Sequence, residues 1–143
     1  MPNADTDGRV LIQMIQEFCA MRPHAKACTS LGQLRYFSCI QYCDGVVGNS
    51  SRCLAEVPSF KKGTVNIGDW QKGRLKAESV IDCEPTKKGI ASSLRKLFSE
   101  QFKALISFAQ NPYEKASSAE AVVGTLSPVD PTFFSHKKSW FSV

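Results

Sequence analysis

The sequence predicts a mainly α fold: a small irregular bundle of about three main helices, with an extended loop-rich central segment and an extended C-terminal tail. Three observations predict it. Apolar residues recur at helical spacing in three stretches, residues 7–21, 29–44 and 86–110. The pattern lapses over residues 48–85, where Gly63, Gly68 and Gly73 punctuate short pieces, and Pro112, Pro128 and Pro131 break up the remainder of the chain. The division implied is a single helical domain over residues 1–112, carrying the excursion 48–85, and an extended strap over 113–143.

Each element has its own warrant. In the first helix Asp7 is suited to the N-cap, Val10, Leu11, Met14, Ile15 and Phe18 form the stripe expected to be buried, and Arg22-Pro23 ends it. A second helix starts at Thr29 or Ser30 and runs to about Asp44, with Leu31, Leu34, Tyr36 and Ile40 on its broad face and Gly45 and Gly48 closing it. The short link between the two predicts an antiparallel pair.

Within the excursion, Thr64-Val65-Asn66-Ile67 alternates polar and β-branched apolar residues and Ser79-Val80-Ile81 is β-rich, so a two-stranded ribbon is expected there. The third helix starts from Glu84-Pro85-Thr86, proline being tolerated in a first turn. Its stripe is Leu94, Leu97, Phe98, Phe102, Leu105, Ile106 and Ala109, and Asn111-Pro112 stops it. A short helix comes next, over residues 117–123. The tail holds four of the chain's fourteen aromatics, Phe133, Phe134, Trp140 and Phe141, in its last eleven residues. Disordered ends are poor in aromatics, so the tail is expected to bind a partner.

The apolar fraction of 43% suffices for a core. The formal charge of +5 is regional: residues 61–103 hold ten Lys and Arg against five Asp and Glu, and the rest of the chain holds eight of each. Such a surplus suits acidic proteins, anionic lipid or nucleic acid, and is met most often as a solvated face. Residues 1–7 are polar and acidic, so neither a secretory signal nor an Arg-rich presequence is expected there, and the sequon at Asn49 is expected to be idle. The least polar run, residues 36–48, contains Gln41 and Asp44 and falls short of the roughly 20 apolar residues a bilayer span needs. An intracellular, soluble or peripheral protein is expected.

Five of the six cysteines lie within residues 19–53. Cys28, Cys39, Cys43 and Cys53 are candidates for disulfides, against a default of free thiols in a reducing compartment. The spacing lacks the paired CxxC or HxxxH of zinc sites, so no metal is expected. Cys43-x9-Cys53 resembles one half of the twin Cx9C pattern of small helical-hairpin proteins of the mitochondrial intermembrane space; Cys28 and Cys39, separated by ten residues, do not supply the second half.

Catalytic patterns are sparse. His24 and His136 are the two histidines, neither accompanied by a recognisable orienting acid. Gly63 to Gly68 has the glycine spacing of a P-loop, but Asp69-Trp70 stands where Lys-Ser/Thr is required. No catalytic residue and no cofactor is therefore predicted. What remains is binding: Lys61, Lys62, Trp70, Lys72, Arg74 and Lys76 interleave an aromatic with cations. The function expected is a non-catalytic accessory subunit of a multiprotein assembly, with a mitochondrial membrane-associated complex as one home. It would contact other subunits through Phe133, Phe134, Trp140, Phe141, Trp70, Lys61 and Lys62. The alternative is a peripheral binder of nucleic acid or anionic membrane acting through residues 61–103.

Overall fold

The computed structural model describes residues 6–114 and 118–128, and it replaces the expected helical bundle with an α/β layer structure built on a parallel sheet. In chain order the elements are α1 (Thr6–Ala20), α2 (Gly32–Tyr42), β1 (Gly45–Gly48), α3 (Ser51–Ala55) and a 3₁₀ turn (Val57–Phe60). Then come β2 (Gly63–Ile67), β3 (Val80–Cys83), α4 (Lys87–Leu97), α5 (Glu100–Phe108) and α6 (Ser118–Leu126). The strands lie in the order β1-β2-β3, all parallel, with Val47 opposite Val65 and Asn66 opposite Asp82.

The reasons for the correction are local. Gly45 and Gly48, expected to close a helix, instead bracket Val46-Val47 in β1. Cys43 leaves α2 in extended geometry, its amide still bonded to the Cys39 carbonyl at 2.9 Å, and feeds the chain directly into the strand. The two β-rich pieces of the excursion are both strands, but they pair in parallel inside a larger sheet rather than as an isolated ribbon. Parallel strands require a crossover of a dozen or so residues, and α3 with the 3₁₀ turn supplies the one between β1 and β2.

β2 is the central strand, and its alternating residues face two different neighbours. Val65 joins Ile81, Cys83, Leu97, Phe102 and Ile106 in the main core. A Cβ at Gly63 would overlap Leu97, and one at Gly45 would come within 2.8 Å of Leu97 Cδ2, so these two glycines let α4 and α5 sit down on the sheet. On the opposite face Thr64 Oγ1 donates to the Cys53 carbonyl at 3.1 Å, which places α3 there with buried Leu54 and Val57 beyond it. The sheet is thus covered on both sides.

The long third helix is two helices. Ser99 is the N-cap of α5: its Oγ accepts the Phe102 amide at 3.3 Å and donates to the Lys96 carbonyl at 2.8 Å, ending α4 and starting α5 at one residue. The stripe still runs through both, with Leu97, Phe102, Ile106 and Ala109 buried. Asn111 then ties the chain back, donating to the Ala55 carbonyl at 2.8 Å and to Ser59 Oγ at 2.7 Å.

The first helix forms, but its stripe does not bury. Val10, Leu11, Met14 and Phe18 are all exposed, and Phe18 is covered on one ring face by the Arg22 guanidinium at 3.9 Å. α6 is likewise exposed along its length. Among the described residues no helix is long and apolar enough to cross a membrane.

Candidate functional site

A parallel sheet points every strand's carboxyl end the same way, so the loops leaving β1, β2 and β3 converge at one edge. There they enclose a cleft of about 890 Å³. Asn49 enters it from β1; Ile67, Gly68, Asp69, Trp70, Lys72 and Lys76 come from β2 and the loop after it; Asp82, Cys83, Glu84, Pro85 and Thr86 lead from β3 into α4.

The walls are held by side-chain bonds that cross between strands. Asn66 and Asp82 are paired in register, and Asn66 Nδ2 donates to Asp82 Oδ1 at 2.8 Å. Lys76 Nζ reaches both oxygens of the same carboxylate, at 2.7 and 2.8 Å. Desolvation raises the Asp82 pKa, but the hydrogen bonds from Lys76 and Asn66, with the lysine's charge, outweigh it and leave the carboxyl below its ordinary range. Gln71 Nε2 donates to the Asn49 carbonyl at 2.7 Å, which fastens the β2–β3 loop to the end of β1. Gly68, at φ +75°, makes the turn out of β2, its amide bonding the Cys83 carbonyl at 2.8 Å.

At the α4 end Thr86 is the N-cap, its Oγ1 accepting the Gly89 amide at 3.0 Å, with Pro85 just outside the helix rather than in its first turn. Lys87 and Lys88 occupy that first turn, where the helix dipole is positive. With Lys76 neutralising Asp82, the charges left on the cleft wall are Lys72 and two carboxylates, Asp69 and Glu84, which have no ion pair among the described residues. The cleft wall therefore sets one unpaired lysine, Lys72, beside two carboxylates able to accept from hydroxyls, with Lys87 and Lys88 following Thr86 in the first turn of α4.

The residues singled out from sequence are split by this geometry. Trp70, Lys72 and Lys76 line the cleft, whereas Lys61 and Lys62 precede β2 at the other end of the sheet. Lys61 sits in left-handed geometry, φ +52°, and its Nζ donates to the Ala109 carbonyl at 2.7 Å, closing the end of α5. Phe133, Phe134, Trp140 and Phe141 lie outside the described residues. Cys28 and Cys39 are exposed, Cys43 half-buried and Cys53 buried, all as free thiols, and burial pushes the Cys53 thiol up. Among the described residues no cluster of three or more metal-ligating side chains occurs. Sequence reasoning missed Asn49, Asp82 and Glu84 as site residues. The signal was present in Val80-Ile81-Asp82-Cys83-Glu84-Pro85-Thr86, where a β-branched run passes through acids to a proline and an N-cap threonine, as at a strand-to-helix junction.

Known proteins share this chain's sequence over most of its length. Residues 1–127 match the family described as UDP-N-acetylglucosamine 2-epimerase. The chain is 36% identical over 116 residues to the polysialic acid biosynthesis protein P7 of Escherichia coli, covering 81% of this chain and 29% of that protein. It is 37% identical over 102 residues to the GDP/UDP-N,N'-diacetylbacillosamine 2-epimerase (hydrolyzing) of Campylobacter jejuni, covering 71% and 26%. With the UDP-N,N'-diacetylbacillosamine 2-epimerase (hydrolyzing) of Legionella pneumophila it shares 33% over 94 residues, covering 66% and 25%. The chain thus spans between 25% and 29% of the length of these curated relatives.

These matches overturn the expectation of a non-catalytic accessory subunit, and with it the alternative of a peripheral nucleic-acid or membrane binder, because the family and two of the relatives are named as epimerases. They also remove the support for a mitochondrial home, since all three relatives are bacterial. With residues 1–127 matched, the chain belongs to the UDP-N-acetylglucosamine 2-epimerase family.

Proposed function

We propose that this chain contributes a nucleotide-sugar site to a hydrolysing 2-epimerase acting on a UDP-linked N-acetylated amino sugar. The observation that carries the reading is the cleft at the carboxyl ends of β1, β2 and β3, opening onto the first turn of α4. In open parallel sheets this is the edge where ligands bind. Two relatives are named as hydrolysing 2-epimerases, one of GDP/UDP-linked and one of UDP-linked diacetylbacillosamine, and a sugar nucleotide offers what this cleft can recognise: a diphosphate and several hydroxyls.

The chemistry in such a name makes two demands. Inverting C2 requires removing a proton from one face and delivering one to the other, and hydrolysis at the sugar carbon requires a nucleoside diphosphate to leave. Lys72, with Lys87 and Lys88 at the positive end of α4, suits the diphosphate in the ground state and the charge that grows on it as it departs. Asp69 and Glu84 suit the hydroxyls, and either carboxylate can accept a proton if the sugar's C2 is brought to it. Asp82 serves differently, holding Lys76 and Asn66 in the wall.

Calorimetric titration with UDP-N-acetylglucosamine tests this reading. The unmodified chain should bind at millimolar affinity or tighter, about −4 kcal/mol or better. Lys72→Ala and Asp69→Asn should each weaken binding about fivefold or more, the counterpart of about 1 kcal/mol for a lost charged hydrogen bond. Lys61→Ala, at the far end of the sheet, should leave affinity unchanged. No heat with the unmodified chain, or equal loss in all three variants, would contradict the reading.

A further inference from the structure

We infer that a second pocket, formed where the end of the β2–β3 loop meets the segment leaving α5, is a site for a neutral sugar; this goes beyond the nucleotide-sugar reading and does not depend on it. The pocket measures about 410 Å³ and lies between Lys76, Ala77 and Glu78 on one side and Phe108, Gln110 and Pro112 on the other. A monosaccharide suits a volume at the small end of ligand pockets.

Phe108 is the residue that asks for a ligand. It ends α5 and is 84% exposed, whereas Phe102, Ile106 and Ala109 of the same stretch are buried. No described aromatic ring stacks on it and no described cation lies over it, so the ring is open. Beside it on the pocket wall are a carboxylate and a carboxamide, Glu78 and Gln110, whose side chains make no hydrogen bond or ion pair among the described residues. A pyranose is amphipathic in the matching way. The C–H groups of one face lie against the electron-rich face of an aromatic ring, while hydroxyls at the edge donate to a carboxylate and exchange bonds with an amide.

The walls are set before a ligand arrives. Asn111 Oδ1 accepts the Tyr113 amide at 3.0 Å and Tyr113 Oη donates to the Leu75 carbonyl at 2.9 Å, which ties the segment after α5 to the β2–β3 loop. On the loop side Ala77 is buried and its carbonyl accepts the Val80 amide at 3.1 Å. Little backbone ordering is then needed on binding. Charge selects the ligand class. Lys76 is the one cation among the lining residues, and Asp82 already holds it at 2.7 and 2.8 Å, so Glu78 leaves the pocket negative and repels a phosphate or a carboxylate.

Free N-acetylglucosamine is the neutral probe. Titrated at millimolar concentrations into the isotopically labelled chain, it should shift the amides of Ala77, Glu78, Phe108 and Gln110, and saturation of the aromatic protons should pass to the sugar's ring C–H protons. Phe108→Ala should weaken binding about fivefold or more, within the range of one aromatic contact, and Phe108→Tyr should restore it. Glucuronate, a sugar of the same ring size bearing a carboxylate, should bind more weakly than N-acetylglucosamine, and Glu78→Gln should narrow that gap. Shifts confined to Asn49 and Gly68 to Lys72 would place the sugar in the cleft alone, overturning this inference while leaving the nucleotide-sugar reading intact. Shifts in neither place, glucuronate binding as well as the neutral sugar, or a Phe108→Ala variant that binds equally well would overturn it too; a ring that serves only to meet polypeptide gives the last of these results.

Discussion

Asp82 shows how a single carboxylate is recruited to shape the cleft. It receives Asn66 from the adjacent strand and Lys76 from the preceding loop, and those bonds hold its pKa below the ordinary value despite partial burial. A carboxyl whose pKa falls on folding adds stability above its unfolded pKa of about 3.9, and that stability disappears as pH drops through the folded value. Asp82→Asn should therefore lower unfolding free energy at neutral pH by up to about 1 kcal/mol, a modest figure because the side chain is more than half exposed. In urea titrations at several pH values the gap between the two proteins should close below about pH 4. A gap that persists undiminished at about pH 2 would show that the ion pair is not its source. Asn66 is the companion feature: it is buried to 1% exposure and its Nδ2 donates to Asp82 Oδ1 at 2.8 Å.

The junction of α4 and α5 shows what periodicity can and cannot reveal about an element. The apolar stripe of residues 94–109 is real, and Leu97, Phe102 and Ile106 from it form the core with β2 and β3. The break at Ser99 is invisible to that pattern because apolar residues fall on the core side in both helices. It is legible only as cap chemistry, a serine succeeded by Glu100 and, at the third position, Phe102 whose amide it accepts. Ser99→Ala should cost about 1 kcal/mol in denaturant unfolding, with circular dichroism showing the helices otherwise retained; an unchanged midpoint would mean packing alone sets the break. The strands were harder to read for a different reason. β1 has four residues, too few to establish alternation, and in β2 Thr64 and Asn66 look solvent-facing in sequence but are covered by the second layer of the sheet. Trp70 and Lys72 could be singled out because exposed-type residues cluster there. Asp82 and Asn49 could not, since their roles depend on which strand lies beside which, a long-range fact that local spacing does not carry.

Across the whole molecule the two ends of the sheet have separate duties. The amino end is closed structurally, with Lys61 bonded to the end of α5 and Gly63 making room for Leu97, whereas the carboxyl end opens into the cleft. This division separates a basic segment that looks continuous in sequence into one part at the closed amino end and one part at the cleft. Most of the core lies among β2, β3, α4 and α5, while α1 keeps Val10, Met14 and Phe18 exposed and stands apart from it. Whether the carboxyl end is the nucleotide-sugar site is decided most directly by mapping backbone amide shifts as UDP-N-acetylglucosamine is titrated into the chain. Shifts should concentrate at Asn49, Gly68 to Lys72 and Glu84 to Lys88. Shifts centred on Lys61, Lys62 and Gly63 at the opposite end, with the cleft residues unmoved, would contradict that placement.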